Sequence, residues 1–280
     1  MKKNKISLVC ILLLLMVTLV GCSKEEATKE GENPYIDDVL IENRWLYITE
    51  SDVQTESDEI IECSFSEQQK TPCISKGGNY LLTGELNTTL VIDSHDEMVH
   101  LYLDDLSIHT SKGPAIEVKS ASKVIMTLVE GSDNAMSDSA YTSSDEICGA
   151  IYSNSDLTIN GTGSLVVSGY YEDAIHCKDV CKILGGTIQL RSKRCGIRAN
   201  DGILLEPDSL FIESEKNGCK TTNAEVDGKG IIYISDGEIA IISGTIAICG
   251  ASDLYIRENN VELSSIIDNF DIAGGMYVLD

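Results

Sequence analysis

The chain runs to 280 residues, with 45 acidic against 21 basic side chains and a formal net charge of −24. Phosphate backbones are gripped through an excess of Lys and Arg, so this balance excludes nucleic acid as a natural partner. It also turns away anionic polysaccharide, unless divalent cations bridge the polymer to Asp and Glu.

The first element in chain order is an export signal. Lys2, Lys3 and Lys5 precede an apolar run over residues 6–20, and the run closes on Leu19-Val20-Gly21-Cys22-Ser23. It is short for a transmembrane helix. Its end resembles the lipobox of bacterial lipoproteins, which implies cleavage before Cys22 and lipidation of that thiol. A plain secretory signal would want a small-x-small cleavage site, which Leu19-Val20-Gly21 supplies poorly. Residues 1–21 are thus expected to leave as a signal peptide. They hold three lysines and no acid, so the formal charge becomes −27. The two acyl chains of a lipoprotein give stable anchoring, which places the protein on the extracellular face of the cell membrane or in the envelope. Residues 22–58 read as an acidic, poorly periodic tether. Within it, an apolar patch over residues 45–48, beginning at Trp45, suits the open N-terminal end of the domain behind it.

Residues 59–280 read as one domain of strands. Residues 80–86, 89–92 and 99–103 form an opening, less regular set of coils, and residues 113–128 a further coil with Ile116, Val118, Val124, Met126 and Leu128 inward. A polar run over residues 130–146 is expected to separate it from a regular stack. From there a phrase returns about every 22 residues. Its first apolar column is Ile151, Ile175, Ile197, Cys219 and Ile246. A second column holds the pairs Leu157 and Ile159, Cys181 and Ile183, Ile203 and Leu205, Ile232 and Ile234, Leu254 and Ile256. A third holds Leu165 and Val167, Ile188 and Leu190, Leu210 and Ile212, Ile239 and Ile241, Val261 and Leu263.

Paired apolar residues two apart have the period of a strand with one face buried. The breaks at Gly185-Gly186, Pro207-Asp208 and Asp236-Gly237 supply turns. Three short strands per coil, stacked on their counterparts in the next coil, predict an all-β parallel β-helix, expected as a monomer. A β-sandwich is the alternative, but its hairpins do not keep three columns in phase over five copies. Between Cys219 and Ile232 the chain inserts TTNAEVDGKG, a polar loop of the kind that marks a working face in solenoids.

Beyond Cys10 and Cys22 there remain Cys63, Cys73, Cys148, Cys177, Cys181, Cys195, Cys219 and Cys249. An even count in an exported chain permits disulfides. Cys63 with Cys73 is the expected bridge by proximity, whereas Cys181 and Cys219 fall in inward columns as small hydrophobes. Cys177 and Cys181 have the spacing of a metal pair, but no second pair follows, which argues against a zinc finger.

The run GAIYSNSDLTINGTGSLVVSGYYEDAIHCKDVCKILGGTIQLRS (residues 149–192), with GPAIEVKSASKVIMTLVEGSDNAMSD before it, resembles the bacterial carbohydrate-binding domain-containing β-helix family of cell-surface lipoproteins. The similarity spans about residues 78–265 and is most specific in DLTINGTG and GGTI. The resemblance implies a right-handed parallel β-helix similar to that of pectate lyases. It implies binding of cellulose or of acidic plant polysaccharide such as polygalacturonate, with calcium near Asp-Gly-Ile turns. Carried over by position, the turn elements fall on Asp173 with Lys178 and Asp179, on Asn200 and Asp201 after Arg198, and on Asn217, Asn223 and Asp227. Cys195 and Asn217 stand where the family pattern has Asp, and Cys offers calcium no hard oxygen. Asp173, Asp179, Asp201 and Asp227 are the remaining candidate ligands, and hydrogen bonding to turn amides is the structural alternative for each.

Sugar faces stack on exposed rings, for which Tyr170 and Tyr171 in a turn are the candidates, with Lys178, Arg198, Asn200 and Asn223 as polar partners. Tyr152, Tyr233 and Tyr255 lie at outward strand positions, and Tyr233 and Tyr255 are expected to pack along a half-exposed sheet surface. An enzyme would need a base beside cation-bound carboxylates or a carboxylic pair. Arg191, Lys193, Arg194 and Arg198, beside Asp179 and Asp201, are the only place where a lyase-like set could assemble. No His or Ser occupies a triad-like context. A non-catalytic polysaccharide binder is therefore expected, with a polysaccharide lyase and a structural adhesin as the alternatives.

Overall fold

The computed structural model describes residues 46–57, 59–66, 70–140, 147–257 and 260–279. The expected signal peptide, Cys22 and Trp45 lie outside the described residues. Apolar residues two apart become strands because alternation sends one side chain in and the next out, and three strands make a coil. The first face stacks Leu90–Asp93, Ile116–Ser120, Gly149–Ser153, Asp173–Cys177, Cys195–Ala199, Asn217–Thr221, Ile246–Gly250 and Asp268–Ile272. The second stacks Lys123–Leu128, Leu157–Gly161, Val180–Ile183, Gly202–Leu205, Ile231–Ile234, Leu254–Ile256 and Met276–Val278. The third stacks Asp133–Ser137, Ser164–Gly169, Thr187–Ser192, Ser209–Ser214, Glu238–Ser243 and Val261–Ser265. The long strand Met98–His109 feeds both of the last two faces, pairing first with Lys123–Leu128 and then with residues 135–137. Every pairing is parallel, and the architecture is a parallel β-helix.

Inward residues of one register position stack into ladders, and every coil relies on its neighbours to keep them dry. Ile151, Ile175, Ile197 and Cys219 form one such ladder, all fully buried. Its next member is Ile248 rather than Ile246, because Ile246 opens its strand two residues earlier, opposite Asp268, while the Thr245 hydroxyl before it donates to Asn217 Oδ1 at 2.7 Å. The polar run after residue 130 also differs from expectation, since it contains the strand Asp133–Ser137 with Asn134 and Met136 buried. Asn134 can sit inside because Leu106 N–H donates to its Oδ1 at 2.9 Å, and its own amide reaches Ser132 Oγ at 2.9 Å and Ser164 O at 3.1 Å. The DLTINGTG phrase has a steric cause. Gly161 has φ +91°, and a Cβ there would stand 2.2 Å from the Leu128 carbonyl oxygen of the coil below.

Cys181 and Cys219 are buried hydrophobes, as their columns require. Cys63 and Cys73 are free thiols lining one cavity of about 240 Å³ with Phe65 and Tyr80, so the expected bridge is not formed.

Residues 46–56, expected in the tether, instead form a strap along the outside of the second face. Leu46 is fully buried against Val180, Leu204, Ile231 and Tyr233. A single turn of helix, Glu50–Val53, then presents Asp52, which is also fully buried. Its carboxylate accepts hydrogen bonds from Lys123 Nζ (2.9 Å), Lys182 Nζ (2.9 Å), Thr158 Oγ1 (2.6 Å) and the Thr49 N–H (2.8 Å). Asn160 Nδ2 donates to the Asp52 carbonyl at 2.8 Å. The strap covers the outward residues of this face, so Thr158, Lys182, Leu204 and Tyr233 are buried, and with Tyr255 buried in the same cluster neither tyrosine is on a half-exposed surface.

Candidate functional site

The outward residues at the end of the third face form two parallel rows. Ser168, Arg191, Glu213, Ile242 and Ser264 share one register position, and two residues further on stand Tyr170, Lys193, Glu215, Gly244 and Ile266. Between the rows lies an open trough of about 500 Å³. Strands stack at ~4.8 Å, so five coils give it a length of about 19 Å along the solenoid axis. Arg191 Nε meets Glu213 Oε2 at 3.3 Å, and the Lys193 ammonium pairs with Glu215 in the same direction. The fixed charges of the trough cancel, although the chain as a whole is strongly acidic.

Tyr170 stands at one end, 55% exposed, and Ile266 at the other, 82% exposed. The turn carrying Tyr170 is pinned from below. The N–H groups of Tyr170 and Tyr171 donate to Asp138 Oδ1 at 2.5 and 3.4 Å. Burial pushes the Asp138 carboxyl up to about 6, against the pull of those two donors. An exposed ring at the head of a neutral, hydroxyl-lined trough can stack on a sugar face while Ser168, Ser264 and the ion pairs meet its hydroxyls. Tyr171 is only half-exposed.

The other predicted polar residues gather elsewhere, at the corner before the second face. Asp179 and Asp201 occupy the turns of adjacent coils, each two residues before an inward second-face residue. Asp201 accepts from Asn223 Nδ2 at 2.7 Å and from the Lys229 ammonium, and Asn200 Oδ1 accepts from the Thr222 hydroxyl at 2.7 Å. The inserted loop is therefore folded back onto its neighbours. Burial, then Asp201, pushes the Asp179 carboxyl up to about 6. Burial opposes the Asp201 charge too, but Lys229 and Asn223 outweigh it and hold that carboxyl below its ordinary range. Lys178 and Asp227 are exposed. Arg198 is not at this corner, for it sits on the outer side of the first face between His176 and Lys220.

Asp173 is fully buried and already engaged. Arg194 donates to it from Nε (2.8 Å) and Nη2 (2.6 Å), and the Cys195 N–H adds a third bond at 2.9 Å. Among the described residues, no three of Asp173, Asp179, Asp201 and Asp227 come together. Calcium wants six or more hard oxygens. Asp173 has a guanidinium, a thiol and an imidazole around it, and Asp201 already holds an ammonium, so this donor set does not fit calcium. The four bases expected to gather beside Asp179 and Asp201 are likewise dispersed, with Arg191, Lys193 and Arg194 each paired to its own carboxylate. The sequence reading passed over Ser168, Glu213 and Ser264, although aligning the ends of the third strands puts them in one row.

A one-sided trough on a parallel β-helix defines the class of protein. The model of a family described as carbohydrate-binding domain-containing protein matches residues 68–270, and the chain belongs to that family. It is 29% identical over 198 residues to a carbohydrate-binding domain-containing protein of Acetivibrio thermocellus, covering 68% of this chain and 69% of that one. Among solved structures it is similar to the polysaccharide lyase-like protein from C. thermocellum, with a TM-score of 0.70 and 24% identity over 80% of this chain and 89% of the other. At that identity the likeness speaks for the fold.

Proposed function

We propose that the protein binds polysaccharide, without cleaving it, in the trough from Tyr170 to Ile266, and that lipidated Cys22 holds it at the extracellular face of the membrane. The observation that carries the reading is an exposed ring heading a charge-balanced trough five coils long. Membership in a carbohydrate-binding family supports it. Because Arg191 and Lys193 are neutralised by Glu213 and Glu215, a neutral glucan of the cellulose type suits the trough better than polygalacturonate, and calcium has no part in the binding. Calorimetry against cello-oligosaccharides and polygalacturonate, each with calcium and with chelator, tests this. Chelator-insensitive heat with the neutral oligomers is expected, and Tyr170→Ala should lower affinity about tenfold. Silence with every ligand from a folded protein would move the weight to a surface scaffold.

One observation favours a second reading. A carboxyl that keeps its proton up to about pH 6, beside a carboxylate and the Lys229 ammonium, is a set able to exchange protons with a substrate. Unsaturated uronates released from polygalacturonate, detected by ultraviolet absorbance and lost in Asp179→Asn, would establish a lyase.

A further inference from the structure

We infer that Cys148, His176 and Asp173 form a binding site for a zinc-class dication, separate from the trough. Cys148 immediately precedes the strand Gly149–Ser153, while Asp173 opens the strand stacked on it, with Asp173 N–H donating to the Cys148 carbonyl at 3.0 Å. His176 follows on the same strand. The three side chains therefore meet across one coil-to-coil step. Cys148 Sγ lies 2.9 Å from His176 Nδ1, which lies 3.8 Å from Asp173 Oδ2, and all three atoms fall within 4.8 Å of one another. The described residues bring no other three His, Cys, Asp or Glu side chains so close. All three are buried, with exposures of 6%, 1% and 0%.

The donor set decides the metal. One thiolate, one imidazole and one carboxylate are what zinc and its neighbours take, and they are too few and too soft for calcium. With the imidazole proton on Nε2, the contact of 2.9 Å is S–H···Nδ1, and a dication takes the place of that one proton. The step balances as loss of the thiol proton to solvent and formation of metal bonds to thiolate, neutral imidazole and carboxylate. Tetrahedral ligation at ~2.3 Å from sulfur and ~2.0 Å from nitrogen sets those atoms about 3.5 Å apart, so Cys148 must retreat by roughly half an ångström.

The surroundings are those of a held ligand. Metal-bound carboxylates are fixed by outer hydrogen bonds. Here Arg194 and the Cys195 N–H fix Asp173, and Glu172 accepts from Arg194 Nη1 at 2.6 Å and tempers its charge. Oδ2 accepts from Arg194 Nη2 and lies 3.8 Å from His176 Nδ1, so the carboxylate turns one oxygen toward the imidazole.

Cobalt(II) titrated into the purified full-length chain, in mild detergent, tests the site. We expect a thiolate-to-cobalt charge-transfer band that saturates at one equivalent and is displaced by zinc. Cys148→Ser and His176→Gln should abolish it, while Cys219→Ser, at a buried thiol two coils away, should keep it. No band in the unaltered chain, or a band surviving both ligand substitutions, would overturn the inference. If those variants do not fold, labelling the unaltered chain with a maleimide under mild denaturant decides instead. Zinc should slow modification of Cys148 at least tenfold relative to Cys181, and equal slowing of the two would sink the site.

Discussion

Replacing Asp173 by Ala leaves the Arg194 guanidinium beside a buried void, with Glu172 as its remaining carboxylate partner among the described residues. Removing one member of a buried pair costs about 3–5 kcal/mol, so denaturant melts of Asp173→Ala should lose stability on that scale. From sequence this residue looks harmless, because it lies in no apolar column, and its partner 21 positions away has no local signature. Asp179 carries a prediction about pH. Its carboxyl is raised on folding to about 6, so it takes up a proton on folding between about pH 4 and 6. Its contribution is thus most favourable at the acid end of that window and declines as pH rises through it. Asp179→Asn should remove that part of the pH dependence of stability, on the order of 1 kcal/mol across the window once solvent screening of this partly exposed group is allowed for. The turn residues around Asp201 were legible as a group because the inserted loop interrupts the repeat. That Tyr170 stands apart from them was not, since the turn it occupies is placed by Asp138, a residue within what read as a featureless polar run.

Among the elements, the strap is the one the sequence concealed. Asp52 meets Lys123, Thr158 and Lys182 at separations of 71, 106 and 130 residues, and no periodicity links such positions. The strands were legible for the opposite reason, since alternation is a local property and each coil repeats it. Leu46→Ala should cost about 2–5 kcal/mol of strap docking and leave the stack folded. Hydrogen exchange should then quicken at residues 46–56 while the inward ladders stay protected. Acid should release the strap late. Burial alone would raise the Asp52 pKa, but the Thr158 hydroxyl, the Thr49 N–H and Lys182 outweigh it and hold the carboxyl far below its ordinary range. A carboxyl lowered on folding stabilises above its unfolded pKa, so this contribution is complete above about pH 4 and fades only as pH falls below it. Release already at pH 5 would contradict the geometry.

At the scale of the whole molecule, the trough behaves as a ruler. Its five coils repeat at ~4.8 Å, so affinity for a bound oligosaccharide should climb with each sugar until the ligand spans about 19 Å, then level off. Calorimetry over an oligomer series reads the plateau, and affinity independent of length would place the contact on the Tyr170 ring alone. The solenoid was plain in the sequence because three columns recur in phase. Its lateral face was not, since outward positions carry no common chemistry from coil to coil.

The strap runs back along the solenoid, from Leu46 over the coils of Leu204 and Tyr233 to Asp52 over those of Lys123, Thr158 and Lys182. A pull applied at Leu46 therefore arrives on the flank, at the coils of Leu204 and Tyr233, and not at the first or last coil. The hold resists as overlapping slats resist sliding, spread over several coils at once, while the terminal coils are left unstressed.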